Sequence, residues 1–113
     1  MLTVAYDEAL ADRIRALLAT RQDVVEKKMF GGLAFLIGGN MAVAASGQGG
    51  LLLRTDPEQT DELTAAGDAT VAVMRGKPMP GWLRIESASV ADNAALRRWV
   101  ALGVAYARSL PEK

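Results

Sequence analysis

Cysteine and histidine are both absent from this 113-residue chain. Without cysteine the protein has no disulfide, no thiolate nucleophile and no sulfur ligand for a metal. Without histidine it lacks the commonest general base and the commonest metal ligand, and every Ser-His triad is excluded. Oxygen atoms alone would have to bind a metal, and the chain has no aspartate-rich loop of suitable spacing. We therefore predict no catalytic residues, no metal and no cofactor, and expect that the protein is not an enzyme.

Net charge is also absent, because 13 basic and 13 acidic residues cancel. No general attraction to nucleic acid or to anionic membranes follows from this balance. Half of the residues are hydrophobic, and a chain of this length is typical of one globular domain, here residues 1–113. The first ten residues, MLTVAYDEAL, lack the basic start and apolar core of a signal peptide, so the expected location is the cytoplasm.

Charged side chains are missing from the whole stretch between Lys28 and Arg54. Its length is sufficient for a membrane-spanning helix. However, the stretch contains seven glycines, and each glycine destabilises a helix by about 1 kcal/mol relative to alanine. The glycines also cluster at the intervals expected of turns. We therefore expect no membrane segment and predict β-strands instead.

Glycine clusters divide this region into three predicted antiparallel strands. The first covers residues 24–37 and bends at Gly31-Gly32, because adjacent glycines in a strand often mark a bulge. Glycine and asparagine also tolerate the positive φ of hairpin turns. The turns are predicted at residues 38–40 and 47–50, and the strands that follow them at residues 41–46 and 51–54. Both faces of these strands are apolar, which predicts that a helix or a second subunit covers the second face.

The remaining pattern predicts helices and a second hairpin. Helices are predicted at residues 5–20, 56–67 and 89–109, and strands at residues 70–74 and 82–86 with a turn-rich loop at residues 75–81. Gly103, in the last helix, would allow that helix to approach the sheet closely. The order is α-β-β-β-α-β-β-α, which predicts an α+β domain with a five-stranded, mainly antiparallel sheet.

The basic residues of the sheet region are the remaining candidates for a binding site. No Gly-x-Gly-x-x-Gly pattern opens a helix after a strand, so a nucleotide-binding loop is not predicted. If basic side chains converge, they can form a local anion site without net positive charge. Trp82 follows Pro80-Gly81 and is either a core anchor or an exposed contact residue. The candidates for anion or partner contacts are Lys28, Arg54, Arg75, Lys77 and Trp82.

Two motifs resemble a known family, the TfoX/Sxy N-terminal domain. The first is Lys28-Met29-Phe30-Gly31-Gly32 after an amphipathic helix, followed by a hairpin and Leu51-Leu52-Leu53-Arg54. The second is the loop from Arg75 to Trp82, followed by a closing helix with Trp99. The resemblance covers nearly the whole chain, and it implies an α+β fold like that of secretion chaperones and a relation to bacterial regulators of natural competence. The family's C-terminal domain is not represented in this sequence, and the family supplies no catalytic residues to transfer.

Two functions remain open from the sequence, with a third considered weaker. The leading hypothesis is a non-enzymatic regulatory module that binds a protein partner or associates with itself as a homodimer. The alternative is a small-anion or nucleotide-binding protein that uses the lysine and arginine cluster named above. A DNA- or RNA-associated regulator is the third, and the balanced charge gives no reason to expect direct binding of nucleic acid.

Overall fold

A six-stranded antiparallel sheet is the centre of the fold in the computed structural model, which describes residues 6–29 and 31–113. The strands are β1 (Val24–Met29), β2 (Gly32–Ile37), β3 (Asn40–Ala45), β4 (Leu51–Arg54), β5 (Ala69–Met74) and β6 (Lys77–Ile85). Their order across the sheet is β1-β2-β3-β4-β6-β5, and each neighbouring pair is antiparallel. The predicted α+β class is confirmed, whereas the predicted number of five strands is wrong. Predictions for residues 1–5 and for Phe30 lie outside the described residues.

The sixth strand arises where the sequence predicted a single bent strand over residues 24–37. Met29 pairs with Gly32 across β1 and β2, so the chain reverses direction between them. Gly31 has a φ of +77°, which is the left-handed conformation that two-residue hairpin turns require. Gly31 therefore lies in a tight turn and Gly32 begins β2, in place of a bulge in a continuous strand.

Three α-helices and two short 3₁₀ segments accompany the sheet. They are α1 (Glu8–Leu17), Pro57–Gln59, α2 (Thr60–Thr64), Ser87–Val90 and α3 (Asn93–Ser109). Asp7 caps α1 by accepting a hydrogen bond from the backbone N–H of Leu10 at 3.0 Å. The last helix begins later than the predicted residue 89, because Ser89 lies in the 3₁₀ segment and α3 starts at Asn93.

The main core lies between one face of the sheet and the helices α1 and α3. Its largest fully buried side chains include Leu10, Ile14, Phe35, Leu51, Leu53, Leu83, Ile85 and Leu96. Burying a side chain of this size contributes about 1.5–3 kcal/mol each. A Cβ atom at Gly103 would lie 2.5 Å from the carbonyl oxygen of Ala42, so the predicted close approach of the last helix to the sheet is confirmed.

The second face of the sheet carries a smaller apolar cluster and is concave. The buried members of this cluster are Ala34, Met41, Ala44, Leu52 and Ala72. A flat sheet of six strands would hold its edge strands about 24 Å apart at the usual strand spacing. Instead, Met29 of β1 and Met74 of β5 line the same cavity of about 230 Å³, so the sheet curls around this face.

Side chains of the sheet itself cover part of the concave face. Met29, Leu36, Met74 and Trp82 pack against the cluster. No helical residue of the described chain belongs to this cluster, so the predicted covering helix is not found there. The small alanines of the cluster leave space above the strands. The edges of the curled sheet enclose this space. Coverage by a second subunit stays a prediction.

The turn between β5 and β6 is much shorter than the predicted loop at residues 75–81. β6 begins at Lys77, which leaves only Arg75 and Gly76 in the turn, with φ values of +53° and +76°. Pro78 lies within β6, next to a register shift between Val71 and Val73 of β5, as is usual for a proline inside a sheet. The turn therefore places a bulky arginine in a conformation that asparagine or glycine adopts more readily.

Arg75→Asn should raise the free energy of unfolding by about 0.5–1 kcal/mol, because asparagine tolerates the left-handed conformation better than arginine does. Urea denaturation of the two proteins measures this difference. Arg75→Ala is the matched control, since it removes the same charge and retains the conformational cost. Equal stability of the asparagine and alanine variants would contradict this account of the turn.

Candidate functional site

The five residues singled out from the sequence lie at three places in the structure. Lys28 is on the edge strand β1, opposite Leu33 of β2. Arg75 and Lys77 lie at the β5–β6 turn, whereas Arg54 and Trp82 are direct partners across β4 and β6. Among the four cations, Arg75 alone lines any of four well-formed cavities in the described residues. The structure therefore does not gather the four cations into one pocket.

The guanidinium of Arg54 lies over two aromatic rings. Its guanidinium carbon lies 5.2 Å from the centroid of the Trp82 ring and 5.7 Å from that of the Tyr106 ring. Both distances are within the range of cation–π attraction. All three side chains are partly buried. We call Arg54, Trp82 and Tyr106 the Arg54 cluster.

Register and helix packing explain how the Arg54 cluster is assembled. Trp82 is the cross-strand partner of Arg54, and such pairs interact directly on one face of a sheet. Tyr106 follows Gly103 by about one helical turn, so both lie on the same side of α3. The close packing at Gly103 brings this side of the helix against the sheet. Tyr106 is not among the candidates selected from the sequence, because its proximity to Arg54 depends on the tertiary packing of α3.

The guanidinium of Arg54 has no carboxylate partner within the described chain. The ion pairs in residues 6–29 and 31–113 involve Arg15 and Arg108 as their cations, and not Arg54. The two aromatic rings interact with the guanidinium through their π faces, which leaves its N–H donors without a charged acceptor. The cluster therefore presents a positioned cation that can bind an acidic group.

A second group of polar side chains borders the cavity on the concave face of the sheet. Arg75, Arg84 and Ser46 line this cavity of about 230 Å³. The Nη1 atom of Arg84 donates to Ser46 Oγ at 3.0 Å. Sequence reasoning grouped Arg84 with the basic residues of the sheet but did not select it as a site residue. Its alternation with Leu83 and Ile85, which enter the main core, was the signal that Arg84 faces the other side.

The acidic residues of the described chain do not form a metal site. No group of three or more histidine, cysteine, aspartate or glutamate side chains is suitably placed there to bind a metal. Hydrogen bonds from Arg15, at 2.7 and 2.8 Å, hold the pKa of Glu26 below its usual range. This pair is largely exposed and joins α1 to β1, so its role is structural and modest in energy.

Comparison with known proteins gives one family. Residues 16–107 match the family described as the TfoX N-terminal domain. This match includes every residue of the Arg54 cluster and of the polar group at the concave cavity. No curated protein and no solved structure matches the chain, so the implied likeness to secretion chaperones stays a prediction. None of the helices in the described residues is both long enough and apolar enough to span a membrane.

Proposed function

The chain belongs to the TfoX N-terminal domain family, and we propose that it is a non-enzymatic regulatory module that acts by binding another protein. The observation that supports this proposal is the Arg54 cluster, in which two aromatic rings hold a guanidinium group that has no carboxylate partner in the described chain. The proposed role is that of a competence-regulator-like module in the bacterial cytoplasm, and membership of this family supports it.

The composition of the Arg54 cluster favours a protein partner. Tryptophan, tyrosine and arginine are the residue types most enriched at the energetic centres of protein interfaces. An arginine that already contacts two rings and is partly buried has less conformational freedom to lose on binding, which reduces the entropic cost of the contact. Its planar fork of N–H donors matches a carboxylate. The proposed partner therefore presents an aspartate or glutamate surrounded by apolar side chains.

Self-association as a homodimer is included in the proposal. Val25 on β1 and Val73 on β5 are 61% and 58% exposed, and both strands are at the edges of the sheet. Exposed edge strands are common templates for pairing with another chain. Lys27 and Lys28 on β1 oppose pairing of two copies at that edge through charge repulsion, so β5 is the more favourable edge.

Arg54→Met should weaken partner binding by about thirtyfold, which corresponds to the loss of roughly 2 kcal/mol at an interface centre. The substitution removes the charge and the cation–π contacts while keeping a long apolar side chain. Wild-type and variant proteins would be used to capture partners from lysates of the source cells. Each captured protein would then be purified and titrated against both chains.

Arg97→Met is the control, because Arg97 is exposed on α3 and lies outside the Arg54 cluster. A partner of the proposed kind binds the wild-type chain and the Arg97 variant with similar affinity. Light scattering across a range of concentrations tests the proposed homodimer separately, because β5 carries no residue of the Arg54 cluster. Equal capture of every protein by all three chains would contradict the proposed role of Arg54.

A further inference from the structure

The cavity on the concave face combines an apolar floor with two cations. Its apolar lining includes Met29, Ala34, Met41, Ala44, Leu52, Val73 and Met74. Arg75 and Arg84 line it as well, and none of the described residues that surround it is acidic. Neither arginine takes part in an ion pair within the described chain. Positive charge at an apolar cavity favours an anion with an apolar body.

Ser46 adds a buried hydroxyl group to the lining of this cavity. This residue is only 5% exposed, and its Oγ atom accepts hydrogen bonds from Arg84 Nη1 at 3.0 Å and from the backbone N–H of Gln48 at 3.1 Å. A hydroxyl group can accept two hydrogen bonds and donate one. With both acceptor sites occupied and no acceptor for its proton among the described hydrogen bonds, the O–H group can donate to a molecule in the cavity.

We propose that this cavity binds a small organic anion that has one carboxylate or phosphate group and a short apolar tail. Arg75, Arg84 and the hydroxyl of Ser46 bind the anionic group, and the tail lies over the alanines and methionines of the concave face. No residue of the Arg54 cluster lines the cavity. The inference therefore goes beyond the proposed protein contact and does not depend on it.

The size of the cavity limits the ligand. At roughly 30 Å³ for each water-sized group, a volume of about 230 Å³ holds on the order of eight such groups, which is the size of hexanoate. This volume is below the approximate range of 300–1,000 Å³ that is usual for drug-sized molecules. The short side chains of Ala34 and Ala44 make the room, so longer side chains there would fill it.

Methionine methyl groups report directly on this cavity. Met29, Met41 and Met74 line it, whereas Met79 on β6 does not. Titration of methyl-¹³C-methionine protein with hexanoate, hexyl phosphate or hexanol should shift the first three signals and leave that of Met79 unchanged. Either anion should bind at least about tenfold more tightly than hexanol, since charge-assisted hydrogen bonds are lost with the alcohol. The anion that binds with the higher affinity identifies the preferred head group.

Variants separate the anion site from simple apolar binding. Arg75→Asn and Arg84→Gln should each weaken anion binding by about tenfold without affecting hexanol, and Arg97→Gln should have no effect. Asparagine favours the conformation of the β5–β6 turn, so weaker binding by Arg75→Asn cannot be attributed to a loss of folding. The proposal is overturned if no cavity methyl shifts, if Met79 shifts equally, if hexanol binds as tightly as the anions, or if both arginine variants bind normally. Intact partner capture by these variants would leave the role of Arg54 unaffected.

Discussion

Gly32→Ala should lower the free energy of unfolding by about 3 kcal/mol, at the upper end of the usual cost of overpacking. An added Cβ would overlap the carbonyl oxygen of Ala45 and would lie 2.8 Å from the backbone nitrogen of Gly47. Both neighbours are backbone atoms, so they cannot move aside by changing rotamer. The substitution must therefore separate the start of β2 from the end of β3.

Urea denaturation of Gly32→Ala, Gly31→Ala and Gly31→Asn tests this prediction. Gly31 has space for a side chain, because its nearest contact would be the Cα of Gly47 at 3.8 Å, but its φ is +77°. Gly31→Ala should therefore lower the free energy of unfolding by only about 1–2 kcal/mol, because alanine disfavours the left-handed conformation. Gly31→Asn should lower it by less. A larger loss at Gly31 than at Gly32 would contradict the interpretation that the two glycines serve different needs.

The Gly31-Gly32 pair shows a structural choice that the sequence pattern does not determine. Adjacent glycines are compatible with a bulge in one strand and with a turn between two strands, since both use positive φ. The pattern predicted the bulge, whereas the structure has the turn. By contrast, Gly38-Gly39 was correctly predicted as a turn, and its φ values are +59° and +81°. That prediction was simpler because the flanking apolar runs had the length of ordinary strands.

Individual candidate residues could be predicted from the sequence, but which of them lie together in the structure could not. Arg54 and Trp82 were selected separately, and their contact depends on the register of β4 with β6. Arg75 was selected from its loop, whereas Arg84 was not. These two arginines line one cavity, although one lies in the β5–β6 turn and the other on β6. Local pattern predicts strands and faces, while curvature results from the packing of the whole sheet.

Gly103→Ala should lower the free energy of unfolding by about 2 kcal/mol, even though alanine is favoured over glycine in a helix by about 1 kcal/mol. The added Cβ would lie 2.5 Å from the carbonyl oxygen of Ala42 and 2.5 Å from Leu53 Cδ1. The leucine can adjust its rotamer, but the carbonyl belongs to β3 and cannot. The helix must therefore move away from β3 and β4.

Ala105→Gly calibrates the helix propensity, since Ala105 is exposed on the same helix and its replacement should cost only about 1 kcal/mol. The steric cost at Gly103 is then the sum of the two measured losses. Outward movement of α3 would also carry Tyr106 away from Arg54. We therefore expect Gly103→Ala to weaken binding of a partner that depends on the Arg54 cluster, and Ala105→Gly to leave it unchanged. If Gly103→Ala is as stable as the wild-type chain, α3 does not lie as close to the sheet as the structure indicates.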